Sequence, residues 1–184
     1  YALSSSCRAT ADLTVNPLPA AITGTMSVCS GLTTTLTDDS TGGTWSTTDI
    51  SIATVDAGGI TSGVAPGTAS ITYTLPSNCF TTTIVTVNLS PNVINGASNV
   101  CTGQIIALND VTLGGTWGSS NTGIATIGVS SGTAGGVSAG NATITYMLPT
   151  GCITTSVLTV NPLPTPISGI THVCEQSTTT LGST

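Results

Sequence analysis

This chain has almost no charge. Charged side chains are 4% of its 184 residues, against roughly a quarter in ordinary soluble domains. It contains no lysine, one arginine (Arg8), one histidine (His172) and one glutamate (Glu175). With a net charge of −6, the basic footprint that nucleic-acid binding requires is missing. Mean hydropathy is positive, yet no apolar run approaches the ~18 residues of a membrane-spanning helix. Aromatics are 3%, so exposed rings of the kind that stack on sugars are scarce. CxxC pairs and Cys/His clusters are lacking, which argues against zinc. No nucleophile, base and orienting group recur together, so the sequence does not read as an enzyme, and no cofactor is called for. The glycine-rich stretch from Ser131 to Gly140 has neither the lysine nor the following helix of a phosphate loop.

What is present is a repeat of 72 to 73 residues. Tyr1, Tyr73 and Tyr146 correspond, as do Cys7, Cys79 and Cys152, and Cys29, Cys101 and Cys174. Trp45 and Trp117 are 72 apart. A period of this size sets the architecture, and it places function in the array and not in one pocket. His172 falls outside the pattern, since its counterparts are Met26 or Ser27 and Asn99; it reads as a solvated residue.

Within the repeat, apolar and polar residues alternate with period two, the mark of a half-buried strand. In the stretch 69–75, Ala69, Ile71, Tyr73 and Leu75 should face in and the hydroxyl residues out; 142–148 is its copy. Pro76 and Pro149 end these strands because proline cannot donate to a ladder. The next strand starts at the cysteine, with Val85 and Val87 inward, matched by Leu158 with Val160 and Leu13 with Val15. The outward position between them is Ile84, Val157 or Asp12. Thr34-Thr35-Leu36 and Ile106-Ala107-Leu108 read as a strand, and the Gly-Gly pairs before Trp45 and Trp117 as turns. Those tryptophans, with Tyr73 and Tyr146, are the expected core anchors. About seven short strands per unit predict an all-β chain of immunoglobulin-like antiparallel sandwiches, about 72 residues each.

The chain begins and ends inside a unit. Residues 1–16 read as the last strands of a preceding repeat, 17–88 and 89–161 as complete repeats, and 162–184 as the first strands of a following one. This suggests a window on a longer array, or a subunit completed by its neighbours. The junctions at Val15-Asn16-Pro17-Leu18-Pro19, at Val160-Asn161-Pro162-Leu163-Pro164 and at Val87-Asn88-Leu89-Ser90-Pro91 are short and semi-rigid, which favours a rod.

At Gly43-Thr44-Trp45-Ser46, Ile52-Ala53-Thr54-Val55, Gly63-Val64 and Gly67 to Tyr73, the sequence resembles the group 2 bacterial immunoglobulin-like domain. The second copy carries the same pattern. The resemblance implies tandem sandwiches on surface adhesins, as in the stalks of intimin and invasin, with no catalytic residues. The added cysteines and the VNPLP junction resemble giant secreted repeat proteins of Bacteroidetes. That likeness also implies a weak O-glycosylation signal at Asp39-Ser40-Thr41, on Ser40. The sequons at Asn88 and Asn141 read as accidental in a bacterial chain.

Six cysteines in two repeating classes indicate disulfides and an oxidising, extracytoplasmic setting. Two pairings stand open. One is within the domain, Cys29 with Cys79 and Cys101 with Cys152. The other joins neighbouring domains, for example Cys29 with Cys152, and leaves Cys7, Cys79, Cys101 and Cys174 to partners elsewhere. If strands alternate up and down, the two classes lie at opposite poles, too far apart for a bond within one domain.

Asp38-Asp39 and Asp110 sit in the turn before the Trp strand. They read as turn formers, since calcium wants six or more oxygens. The Thr-rich outer faces have no lysine to protect their edges, so neighbouring subunits or glycans should cover them. The expected function is structural: an extracellular or cell-surface bacterial filament or adhesin stalk, with copies of itself or adjacent repeats as partners. The alternative is a carbohydrate- or receptor-binding adhesin module, with host or environmental glycans bound at a distal tip.

Overall fold

The computed structural model describes residues 11–183 and is built of strands, with no helix among them. It divides into two compact units, Tyr1–Leu89 and Ser90–Thr184. In the first unit the strands are β1 (Thr23–Gly24), β2 (Ser27–Cys29), β3 (Thr33–Thr37), β4 (Thr44–Thr47), β5 (Ala53–Val55), β6 (Ile60–Gly63), β7 (Gly67–Thr74) and β8 (Phe80–Asn88). They form two four-stranded sheets, β1-β3-β6-β5 and β2-β8-β7-β4.

The second unit repeats this plan with β9 (Asn99–Cys101), β10 (Ile105–Ala107), β11 (Thr116–Ser119), β12 (Ala125–Ile127), β13 (Thr133–Gly136), β14 (Gly140–Met147) and β15 (Ile153–Asn161). Its sheets are β10-β13-β12 and β11-β14-β15-β9. A bridge between Asn95 and Asn109 stands where β1 meets β3 in the first unit. Beyond it, β16 (Ile167–Gly169) pairs with β17 (Leu181–Ser183). Gly169 lies opposite Leu181 there, as Gly24 lies opposite Leu36.

The long hairpin β7–β8 is the centre of each sandwich. Thr and Ser alternate with Ala69, Ile71 and Tyr73, and the period of two puts every second residue into the core. Ile71, Leu36, Val85 and Val87 are buried, as are Ile144, Leu108, Leu158 and Val160 in the second unit. Burying each such side chain stabilises the unit by roughly 1.5–3 kcal/mol. The two cores share no residue. Ile84 and Val157 point outward and are more than half exposed.

The sandwich differs from a purely antiparallel one. The chain crosses between sheets after β1, and two residues later β2 lies along β8, running the same way. Ser27, Val28 and Cys29 stand opposite Thr86, Val87 and Asn88. The second unit does the same with β9 and β15. The alternation near the start of the chain also misleads. Leu13 and Val15, expected to face a core, are 89% and 84% exposed, and residues 11–16 form no strand. An apolar alternation buries nothing unless a neighbouring strand lies beside it, and none of the described residues pairs with this segment. The rest of the expected preceding repeat, with Tyr1 and Cys7, lies outside the described residues.

Candidate functional site: the two ends of the sandwich

At the end of each unit where the chain comes in, a clasp gathers around the tyrosine. The Tyr73 hydroxyl donates to the Ser40 carbonyl at 2.7 Å and accepts from the Gly43 N–H at 3.0 Å. Tyr146 donates to the Thr112 carbonyl at 2.6 Å and accepts from the Gly115 N–H at 2.9 Å. The tryptophan rings tilt against the tyrosine rings, with centroids 4.8 Å apart for Trp45–Tyr73 and 4.7 Å for Trp117–Tyr146. Trp117 is buried and Trp45 half-buried. Glycine is required beside the ring: a Cβ on Gly43 would stand 2.5 Å from Tyr73 Cζ, and one on Gly115 equally close to Tyr146.

Ser40 and Thr112 tie this clasp to the incoming chain. The Ser40 hydroxyl accepts the Ala20 N–H at 2.8 Å. The Thr112 hydroxyl accepts from the Asn92 backbone at 3.0 Å and from its side chain at 2.9 Å. One oxygen of Asp38 accepts the Ser40 N–H at 2.8 Å, and one of Asp110 accepts the Thr112 N–H at 2.7 Å. Both aspartates thus shape the turn, while the second oxygen of each is buried without a hydrogen-bond partner. Among the described residues, no three His, Cys, Asp or Glu side chains gather as a metal site would. Ser40, singled out as a glycosylation acceptor, is half-buried with its hydroxyl engaged in the clasp. The structural role of Ser40 and Thr112 escaped the sequence because their tyrosine partners lie 33 and 34 residues away.

Replacing Tyr73 by Phe keeps the ring and removes the hydroxyl. It leaves the Ser40 carbonyl and the Gly43 N–H without their partner, and it should cost about 1–3 kcal/mol. Urea denaturation of the single variant against the parent measures this.

A smaller difference separates the units at the β4–β5 turn. Ser51 donates to Asp49 from its hydroxyl at 2.6 Å and its N–H at 2.9 Å. The hydroxyl first, then the N–H, holds the Asp49 carboxyl below the usual carboxylate range. The contribution is therefore present above the ordinary carboxylate pKa and lost as pH falls through the lowered one. Asn121 occupies the equivalent turn in the second unit, accepting the Gly123 N–H at 3.0 Å, and carries no such pH dependence.

The cysteines mark both ends. Cys29 closes β2 opposite Asn88, the last residue of β8, and Cys101 closes β9 opposite Asn161, the last residue of β15. Cys79 and Cys152 directly precede β8 and β15. Nine residues of strand span about 27–30 Å, whereas a disulfide needs Cα atoms within about 7 Å. The pairings within a domain, Cys29 with Cys79 and Cys101 with Cys152, are therefore not made. Cys29 and Cys152 are disulfide-bonded, while Cys79, Cys101 and Cys174 are free thiols. The Cys79 thiol lies 3.8 Å from the Asn16 carbonyl.

A cleft of about 350 Å³ is lined by Gly114, Thr116, Met147, Leu148, Pro149 and Gly151. These are apolar and backbone groups with no convergent polar side chains. On the outer face of β8, Phe80 and Ile84 are exposed between threonines, as Ile153 and Val157 are on β15.

Among solved structures, the chain is similar to the C-terminal 282-residue fragment of intimin, determined in complex with the intimin-binding domain of the translocated intimin receptor. Identity is 15% and the TM-score 0.50, covering 79% of this chain and 65% of the intimin fragment. It also matches domains 4 and 5 of the surface-layer protein SbsC, at 22% identity over 70% of this chain and 82% of that one, with a TM-score of 0.30. Murine CEACAM1b matches at 10% identity over 77% of this chain and all of that one, with a TM-score of 0.32. No family model matches the chain, and no curated protein does. The intimin likeness agrees with the immunoglobulin-like sandwich seen in each unit.

Proposed function

We propose that the chain is an extracellular structural segment, a piece of a bacterial filament or adhesin stalk that carries tension from unit to unit. The observation that carries this is the parallel pairing of β2 with β8 and of β9 with β15. A pull on the two chain ends of a unit first releases β1, which holds only two residues. It then drags β2 and β8 in opposite directions along their length. The ladder bonds between them are loaded in shear, all together, instead of being opened one at a time. The clasp at Tyr73 and Tyr146 fixes the incoming chain at the other end of the unit.

Tandem repetition at 72 to 73 residues, proline-spaced junctions and scarce charge support the same reading, as does the resemblance to group 2 bacterial immunoglobulin-like repeats. Disulfide-bonded Cys29 and Cys152 fit an oxidising location outside the cytoplasm. The likeness to the intimin fragment, determined in complex with a receptor domain, fits it too. Copies of the chain or adjacent repeats are the partners this reading assigns, with any glycan ligand left to a distal tip.

Electron microscopy of unreduced native material tests it. Rods or filaments with a regular axial repeat are expected. Compact particles that bind a soluble glycan or receptor without forming rods would replace it with the binding-module reading.

A further inference from the structure

The two units share a plan but not an outer face. On the sheet β2-β8-β7-β4 of the first, Thr44, Thr74 and Phe80 stand side by side, with Ser46 and Thr72 in the next row. The same places in the second unit hold Thr116, Met147 and Ile153, then Gly118 and Thr145. A methionine and a glycine thus stand where the first unit has hydroxyl side chains. Phe80 is the one phenylalanine of the chain, and 59% of it is exposed. It projects among threonines, where its apolar ring gains nothing from facing water.

The glycine leaves a dent. A Cβ on Gly118 would meet nothing within 4 Å, so the strand has room there for a side chain it does not carry. A cleft of about 120 Å³ opens at this point, lined by Thr116, Trp117, Gly118, Thr145 and Met147. Thr116 and Met147 also border the larger cleft that reaches Pro149. An apolar cavity of roughly 150 Å³ holds a benzene ring, so the cleft at Gly118 is of the size of a phenyl group. Met147 is nearly half exposed, and its flexible thioether makes favourable contacts with aromatic rings. No Asp, Glu, Lys, Arg or His lies on any strand of either sheet. A partner for this cleft is therefore uncharged and brings a projecting ring. The chain carries such a ring itself, on a face equally free of charge.

We propose that the outer face of the second unit receives a second copy of this chain, with Phe80 of that copy seated between Gly118 and Met147. The threonine rows around the ring then pack as sheet on sheet. Each copy offers one ring and one cleft, on different surfaces, so the contact is heterologous. It does not close on itself, and it joins copies into an open chain. It is a contact between molecules and sets no arrangement of the two units within one. It rests on the reading of the chain as self-associating and gives that association a surface.

The test is sedimentation equilibrium of the full chain, kept reduced so that thiols do not link copies. The average mass of the parent should rise with concentration. Phe80→Ser and Gly118→Leu should each weaken association at least about tenfold, as loss of an interface anchor does. Both positions are exposed, so each variant should keep the parent's urea midpoint. Mixing the two variants gives the second check. Phe80→Ser keeps its cleft and Gly118→Leu keeps its ring, so the mixture should regain the parent's affinity but stop at pairs. A parent that stays monomeric, variants that associate as the parent does, or a mixture no better than its components would overturn the contact. Parental association in both variants would leave self-association standing through another surface, and a monomeric parent that resists stretching would leave the tension-bearing reading standing.

Discussion

Ile144→Ala should unfold the second unit while the first keeps its own transition. Ile144 is fully buried, on β14 at the middle of a core that includes Val100, Leu108, Trp117 and Leu158. Truncating a buried isoleucine removes its transfer energy and leaves a cavity, which together cost about 2–5 kcal/mol. A unit of 72 residues has only about 4–10 kcal/mol to lose at ordinary stability per residue. Because the two cores have no residue in common, Ile71→Ala should do the converse. Calorimetry of both variants checks this. Equal loss of both transitions from either substitution would show that the units do not fold separately.

Gly132→Ala and Gly59→Ala should be nearly as damaging, by another route. Gly132 has φ +66 and Gly59 φ +82, a left-handed conformation that costs any other residue about 1–2 kcal/mol. A Cβ there would also run into the carbonyl of Leu108 or Leu36 and press on the Trp117 or Trp45 ring at 3.1 or 3.2 Å. Those carbonyls cannot turn away without losing strand geometry, since the Leu108 and Leu36 N–H groups donate to the Gly132 and Gly59 carbonyls at 2.9 Å. A loss of at least ~2 kcal/mol is expected, read as a lower urea midpoint. An unchanged midpoint would mean that the turn has another packing open to it.

The sequence carried most of the sandwich because its longest strands are its most regular. Ile71, Tyr73, Val85 and Val87 alternate with threonines, and the buried side follows directly. The parallel strand pair was harder to see. β2 is three residues long, too short for any periodicity, and its sheet is decided by β8, nearly sixty residues later. Leu13 and Val15 show the opposite failure, a good alternation with no partner strand to use it. Tyr73 and Tyr146 were identifiable as anchors of the core, but their hydroxyl partners were not, because a turn carbonyl leaves no mark on residue type. For the cysteines, the repeat defined two classes, and only the register along β8 and β15 placed those classes a full strand apart.

Stretching single reduced molecules by their ends tests the tension-bearing account most directly. Unfolding one 72-residue unit lengthens the chain by roughly 200 Å or more. In the reduced chain the account predicts two such steps, each sustained until the parallel pair shears. Units that lengthen gradually without a resisting force would contradict it.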